Sequence, residues 1–216
     1  GKPLRTEYCH ELAVRLLVGC LTILAAKHEI GISLVFTHST DHYIRAYAVV
    51  HYGAKKADAS LQRMGYILHC FSCLHREPCE GIFSPLKRDC PECGSKLNTA
   101  GPLWLGNLLE EKFFALMEEE MEAKGLRQDK KIAKLFSLAR NEVHGPPTYY
   151  VVDKVCDKLN LPIPPLVEVI DGLRKAGFRA TLTHFASRGI RTDASAKAVS
   201  EVITKLKAQA RDCHRA

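Results

Sequence analysis

Apolar residues recur at intervals of three or four positions in several stretches of the chain and alternate with polar residues in others. Over residues 8–26 the leucines fall at helical spacing and valines widen the stripe, which predicts a mostly buried helix. After Gly31, β-branched and aromatic residues dominate over 32–37 and 42–52, which predicts two strands joined by a turn at 39–41. The first 52 residues are therefore expected to form a helix and a hairpin.

The helical spacing returns in the second half of the chain. Asp129, Thr148 and Asp193 are expected to begin helices, because their side-chain oxygens can accept the free N–H groups of a first turn. Pro165 is expected to open another helix, where its missing N–H costs nothing. The predicted helices cover residues 108–124, 129–139, 148–159, 165–177 and 193–206, and strands are predicted at 61–70 and 178–183.

Two helices separated by a proline turn and followed by a strand occupy residues 148–183. This order is typical of a helix-turn-helix with a β wing, in which the second helix or the wing meets nucleic acid. An unspecialised three-helix core would produce the same pattern. The order of elements leaves both interpretations open.

Composition excludes a disordered or fibrous chain, because 46% of the residues are hydrophobic and 25% are charged. The longest apolar run, residues 16–26, is too short for a bilayer crossing, which needs about 20 apolar residues, so we expect no membrane contact. The net charge is +7, and residues 171–216 carry ten basic and four acidic side chains. Such a segment favours a polyanion-binding edge, with a solvated basic tail as the simpler alternative.

Four of the nine cysteines form two matched pairs, Cys70 with Cys73 and Cys90 with Cys93, separated by 16 residues. Two Cys-x-x-Cys knuckles at this distance are typical of a zinc ribbon with four thiolate ligands. Four thiolates leave no open coordination position, so the predicted site is structural. Free or disulfide-linked thiols are the alternative. Reduced cysteines favour an intracellular compartment, the nucleus first, with mitochondrion and cytoplasm also open.

Several catalytic motifs are missing from the sequence. It contains neither Gly-x-Gly-x-x-Gly nor Gly-x-x-x-x-Gly-Lys, and no histidine stands beside an evident nucleophile with a carboxylate partner. We therefore assign no catalytic residue and no cofactor-binding residue. Tyr43 and Arg45 follow the predicted turn and form a polar, aromatic patch that could stack on or pair with a nucleotide.

Four strings taken together resemble, in order, the C-terminal half of the tRNA guanosine N2,N2-dimethyltransferase family. They are YCHELAVR at 8–15, DHYIR at 41–45, GPLWLG at 101–106 and GIRTDA at 189–194. The similarity covers nearly the whole chain, and the cysteine-rich insertion suits a eukaryotic member, including its divergent "like" paralogue.

The resemblance implies a class I methyltransferase domain that uses S-adenosylmethionine, followed by a C-terminal domain that holds tRNA. The implied fold class is α+β: residues 1–53 would be the last helix and strand pair of the methyltransferase fold. Residues 54–216 would be the family-specific tRNA-binding domain, with a zinc ribbon at 68–98 and a helical, winged-helix-like module at 105–210. The implied partners are tRNA and the protein's own N-terminal methyltransferase half.

The family's glycine-rich cofactor loop and its Asp-Pro-Phe-Gly type loop are absent from this sequence. The resemblance therefore implies the C-terminal, tRNA-binding part of the enzyme. We expect this chain alone neither to bind S-adenosylmethionine nor to transfer methyl groups. The alternative is a non-catalytic, zinc-containing winged-helix module that binds DNA, RNA or a protein partner.

A folded RNA is held mainly through its backbone, so basic side chains on several elements are the expected contacts. Besides Tyr43 and Arg45, the candidates lie after the hairpin and around the predicted wing. They are Lys55, Lys56, Arg63, Arg174, Lys175, Arg179, Arg188 and Arg191.

Overall fold

The computed structural model of the protein describes residues 1–40 and 43–213, in seven helices and eight strands. The first part contains α1 (Cys9–Ala26), β1 (Ile30–Thr40), β2 (Tyr43–Tyr52), α2 (Ala54–Leu61), β3 (Met64–His69), β4 (Arg76–Glu80) and β5 (Asn98–Trp104). The second part contains α3 (Glu111–Ala123), α4 (Lys130–Arg140), β6 (Tyr150–Val151), α5 (Val152–Leu159), α6 (Leu166–Lys175), β7 (Ala180–Thr183), β8 (Ala186–Thr192) and α7 (Ala196–Cys213). The predicted helix and hairpin are confirmed, and the turn between the two strands lies partly outside the described residues.

α1 buries one face and exposes another, although apolar residues occur on both. The buried positions follow helical spacing from Glu11 through Val14 and Val18 to Thr22. Leu17, Leu21 and Leu24 are 40 to 50% exposed, so the prediction of a buried leucine stripe is wrong for these three residues. The helix is long and apolar enough to cross a membrane by composition alone, but its buried face packs on β1 and β5 as a core helix does.

A glycine permits the close contact between α1 and β5. A Cβ atom at Gly19 would lie 2.8 Å from the Cα of Leu103 and 3.1 Å from the backbone nitrogen of Trp104. Both Leu103 and Trp104 are fully buried, and the indole N–H of Trp104 donates to the Asn107 carbonyl at 3.1 Å. The absent side chain therefore lets the helix backbone lie directly against the strand.

β1 and β2 pair as an antiparallel ribbon, and two three-stranded antiparallel sheets follow. In the first of these, β3 lies between β4 and β5, and in the second, β8 lies between β6 and β7. β3 confirms the strand predicted at 61–70.

The central hydrophobic core draws on the whole length of the chain. Tyr8, which precedes α1, and Leu12 of α1 pack in one cluster with Ile67 of β3, Tyr149 and Phe185. One core thus continues across the boundary predicted between residues 53 and 54. A separate core joins α5, α6 and α7 to the last sheet, and a small aromatic core joins α3 and α4 to Phe36 of β1.

Helix starts follow the predictions only in part. Asp129 caps α4 by accepting the N–H groups of Lys131 and Ile132, as predicted. Thr148 is not an N-cap: its φ is 71°, and β6 precedes the next helix. Asp193 accepts from the N–H of Arg179, while the Ser195 hydroxyl accepts the N–H of Ala198 at the start of α7.

Candidate functional site

The four predicted cysteines come together at one point beside β3 and β4. The Sγ atoms of Cys70 and Cys93 lie 3.5 Å apart, as do those of Cys73 and Cys90, and all four lie within 4.8 Å of one another. A tetrahedral zinc ion with Zn–S bonds of about 2.3 Å places its sulfurs about 3.8 Å apart. The sulfur cluster therefore has the dimensions of a four-thiolate zinc site.

The two cysteine knuckles have the same backbone. In each, the fifth residue donates its N–H to the carbonyl of the first cysteine at 2.9 Å, Leu74 to Cys70 and Gly94 to Cys90. Leu74 and Gly94 both have left-handed backbones, with φ of 64° and 73°. This repeated turn aims two sulfurs of each knuckle at one point, which is the arrangement that a metal needs.

Thiolate formation within the cluster is uneven. Hydrogen bonding by Ser95 lowers the pKa of Cys93 to about 6, whereas burial raises the pKa of Cys73. Cys93 therefore offers a negatively charged sulfur to a cation more readily than Cys73 does. A bound divalent metal would stabilise the remaining thiolates.

The cysteine cluster is connected to the helical core. Leu74, inside the first knuckle, is buried in the cluster formed by α5, α6 and α7. Glu92, inside the second knuckle, accepts from His75 Nδ1 at 3.0 Å and from the backbone N–H of Lys197 in α7 at 3.1 Å. The knuckles thus hold both a core side chain and the first turn of α7.

Arg191 is the centre of a buried ionic network, so the prediction that it contacts RNA is wrong. Its side chain is 4% exposed, and its Nη2 and Nε lie 2.8 Å from Glu11 and Glu142 respectively. Its Nη1 donates to the carbonyls of Pro146 and Thr148. Burial opposes the charge of Arg191, but the two carboxylates outweigh it and raise its pKa. This guanidinium has no free face for a phosphate.

Both carboxylates have further partners. Glu11 accepts from Arg15 Nε at 2.8 Å and from the N–H of Thr148 at 2.9 Å. Glu142 accepts from the Thr183 hydroxyl at 2.6 Å and from His184 Nδ1 at 2.8 Å. Nothing in the sequence around any one of these residues signalled the network, because its members come from distant parts of the chain.

The remaining predicted RNA contacts form two groups. In the first, Tyr43 and Arg45 are exposed on β2, with the Arg45 guanidinium carbon 4.9 Å from the Tyr43 ring centroid. Lys55 and Lys56 are exposed on α2, and the exposed Arg63 follows that helix. These side chains are accessible to a polyanion.

The second group surrounds the β7–β8 hairpin. Arg174 and Lys175 end α6, and Arg179 precedes β7, where it pairs with Asp193 at 3.1 Å. Arg188, on β8, is half-buried and pairs with Asp153 at 2.8 Å. Arg174 and Arg179 line one groove together with Arg140 and His144 from the end of α4, two residues that the sequence analysis missed.

Comparison with known proteins gives a consistent result along nearly the whole chain. The family model described as N2,N2-dimethylguanosine tRNA methyltransferase matches residues 1–204. The tRNA (guanine(26)-N(2))-dimethyltransferase of Methanothermobacter thermautotrophicus is 43% identical over 206 residues, which are 95% of this chain and 54% of the relative. The tRNA (guanine(26)-N(2)/guanine(27)-N(2))-dimethyltransferase of Aquifex aeolicus is 32% identical, over 95% of this chain and 51% of the relative.

A solved structure, Trm1 from Pyrococcus horikoshii in complex with S-adenosyl-L-methionine, has a similar fold. Its TM-score is 0.81 with 34% sequence identity, and the match covers 93% of this chain and 51% of that one. The chain thus spans about half the length of the relatives that it matches.

These matches overturn the predicted placement of the chain. The methyltransferase family model runs through residues 1–204, and the structural match to Trm1 with S-adenosyl-L-methionine covers 93% of the chain. The assignment to a C-terminal, tRNA-holding part, with only the last helix and strand pair of a methyltransferase fold, is therefore wrong. The central core, which continues past residue 53, gives the physical reason. The alternative of a non-catalytic, zinc-containing winged-helix module that binds DNA, RNA or a protein partner is also not retained, because the matching family model is that of a tRNA methyltransferase.

Proposed function

The chain belongs to the N2,N2-dimethylguanosine tRNA methyltransferase family, and from this premise we propose that the whole protein methylates the exocyclic N2 of a guanine in tRNA. The observation that carries the proposal is the continuous structural match to a relative with S-adenosyl-L-methionine bound. When bound, S-adenosylmethionine would supply an electrophilic methyl group: a bond from N2 to the methyl carbon would form as the S–C bond breaks, S-adenosylhomocysteine would leave, and N2 would release a proton.

The contribution of this chain's own residues is the framework. The Arg191 network ties α1 to β8 and to the loop between α4 and β6, in a setting where unpaired charges would be costly. Such a framework holds backbone segments in fixed positions, which supports precise placement of a substrate. Among the described residues, we assign none a catalytic role.

Methyl transfer from labelled S-adenosylmethionine to unmodified tRNA transcripts tests the proposal in the whole protein. The expected product, after nuclease digestion and mass spectrometry, is N2-methylated and N2,N2-dimethylated guanosine. Methylation at another atom, or none, would refute the proposed activity. The finer prediction, that the 216 residues alone neither bind the cofactor nor transfer methyl groups, is tested by equilibrium dialysis and the same assay on the isolated chain.

We further propose that the four cysteines hold one structural zinc ion. Support comes from the sulfur separations, the repeated knuckle backbone and the soft donor set, which zinc prefers. Elemental analysis of protein purified without chelator is expected to give one zinc per chain. A metal-free protein with normal stability would refute the site.

The exposed basic residues predicted to contact RNA remain part of the proposal. Support comes from their accessibility and from the basic segment at 171–216. They are Arg45 with Tyr43, Lys55, Lys56, Arg63, Arg174, Lys175, Arg179 and the half-buried Arg188. Arg191 is excluded by its burial.

A further inference from the structure

A basic groove lies between the end of α4 and the turn that leads from α6 into β7. Its volume is about 620 Å³, within the range of small-ligand sites. Thirteen described residues line it, and they include four arginines and one histidine but no aspartate or glutamate. The groove thus combines a recess of ligand size with a wall of one charge sign, which concentrates anions.

The charges of the groove differ in how far they are already neutralised. Arg191 forms part of the floor, but its guanidinium is fully engaged by Glu11 and Glu142. Arg140 is 69% exposed and has one distant partner, Glu118 at 3.6 Å. The Nε of Arg174 donates a hydrogen bond to the Ala180 carbonyl at 3.0 Å, which holds the side chain at the groove. Arg140 and Arg174 are therefore the cations best placed to receive an anion.

The groove also offers a surface for a base. Phe178 lines it and is half-buried, with part of its ring packed against the core of α5, α6 and α7, and His144 lines it from the loop after α4, 67% exposed and 3.4 Å from Glu111. Aromatic side chains next to arginines are the usual platform for an unpaired nucleotide, since every base can stack on a ring while its phosphate meets a guanidinium.

From this arrangement we infer that the groove binds one or two nucleotides of the RNA substrate, with Arg140 and Arg174 on the phosphates and Phe178 against a base. The inference rests on the proposed function for the identity of the RNA. It adds Arg140, His144 and Phe178 to the contacts that the sequence had indicated. The alternative ligand for the groove is an acidic protein segment. Such a segment would use the arginines but would not need an aromatic side chain such as Phe178 in the lining.

Binding of tRNA to the whole protein, followed by fluorescence anisotropy over a range of salt concentrations, tests the inference. The variant Arg140→Glu/Arg174→Glu is expected to bind at least about tenfold more weakly, and its salt dependence should lose about two units of slope, one for each phosphate contact. A second variant, Arg140→Glu/His144→Glu, removes no buried hydrogen bond, so a loss of tRNA binding in this variant cannot be attributed to misfolding. Phe178→Leu should weaken binding without changing the slope, because it removes stacking and no charge.

The matched control is Lys96→Glu/Lys154→Glu, which makes the same change in net charge at two exposed residues outside the groove. Equal weakening by the control and the groove variants would overturn the inference, as would an unchanged slope in both groove variants. If an acidic peptide displaced the labelled tRNA from the groove as effectively as unlabelled RNA does, the occupant would be a protein segment, and the inference would be overturned. If the wild-type protein binds tRNA but transfers no methyl group, only the proposed function is refuted. The inference about the groove is unaffected, because the anisotropy measurement does not depend on activity.

Discussion

Glu11 and Arg191 are 180 residues apart in the sequence and form a fully buried ion pair, with Oε2 and Nη2 separated by 2.8 Å. The pair connects α1, near one end of the described chain, to β8, near the other. Glu142 shares the same guanidinium, so Arg191 bridges two buried carboxylates, of which Glu11 also pairs with Arg15. A network of this kind is costly to break, because each remaining partner is left as an uncompensated buried charge.

Arg191→Met is expected to lower the free energy of unfolding by about 3–5 kcal/mol, since Glu11 and Glu142 lose their shared partner inside the protein. Urea unfolding followed by circular dichroism measures the change. The control is Arg179→Met, which removes an exposed pair with Asp193 and should cost less than about 1 kcal/mol. If the two variants lowered the free energy of unfolding by similar amounts, the buried ion pairs of Arg191 would stabilise the protein no more than an exposed pair does.

The stability of the protein should depend on pH through Glu11. Burial disfavours its charge, but Arg191 and Arg15 outweigh burial and lower its pKa from 4.5 to about 2. Because the folded-state pKa is the lower one, its stabilising contribution is complete above pH 4.5 and is lost as the pH falls toward 2. This contribution is about 3 kcal/mol.

Unfolding of wild type and Glu11→Gln at pH 7, 4.5 and 3 separates this residue from other acids. The difference in free energy of unfolding between the two proteins should shrink as the pH falls below 4.5, because the glutamate of the unfolded chain then takes up a proton while that of the folded protein stays charged. A difference that stays constant over this range would contradict the assignment of the low pKa to Glu11.

Metal removal should loosen α7. Glu92 and Leu74 belong to the two cysteine knuckles, and they hold the first turn of α7 and part of its core. Chelation, or Cys73→Ser, should therefore increase amide hydrogen exchange in α5, α6 and α7 and leave α3 and α4 unchanged. Cys20→Ser, at an exposed cysteine outside the cluster, is the matched control. Faster exchange confined to the knuckles themselves would contradict the connection.

Gly19→Ala provides a test in which two physical effects have opposite signs. Helix propensity alone would stabilise the variant by about 1 kcal/mol. The new methyl group, however, would lie 2.8 Å from a backbone atom of β5, so we expect a net loss of about 1–3 kcal/mol. Thermal or urea unfolding decides the sign, and a more stable variant would show that α1 can move away from β5 without cost.

The elements with strong local signals were predictable from the sequence. The periodic apolar residues located α1, α3, α4 and α6, and the N-cap at Asp129 was visible because its partners are the next few residues. α2 was missed, since its eight residues contain no helical stripe of large apolar side chains. The four cysteines were predictable as a group because the spacing within and between the pairs is itself the signal.

Errors arose where a distant residue decides the structure. Thr148 looked like an N-cap, but its N–H donates to Glu11, 137 residues away, and its backbone is left-handed. Arg191 looked like a surface cation in a basic segment, and only the fold shows that two carboxylates surround it. The basic groove could not be seen either, because the residues of α4, α6 and β7 that line it come together only in the folded chain.

The central core has a consequence for biosynthesis. Phe185 is synthesised 173 residues after Leu12, although both belong to the same core. At about 5–20 residues per second, this delay is on the order of 10–30 seconds. During that interval β1 and β5 can already cover the buried face of α1, but the part of the core that Phe185 fills is still missing, so this core is completed only after the β7–β8 hairpin has been made.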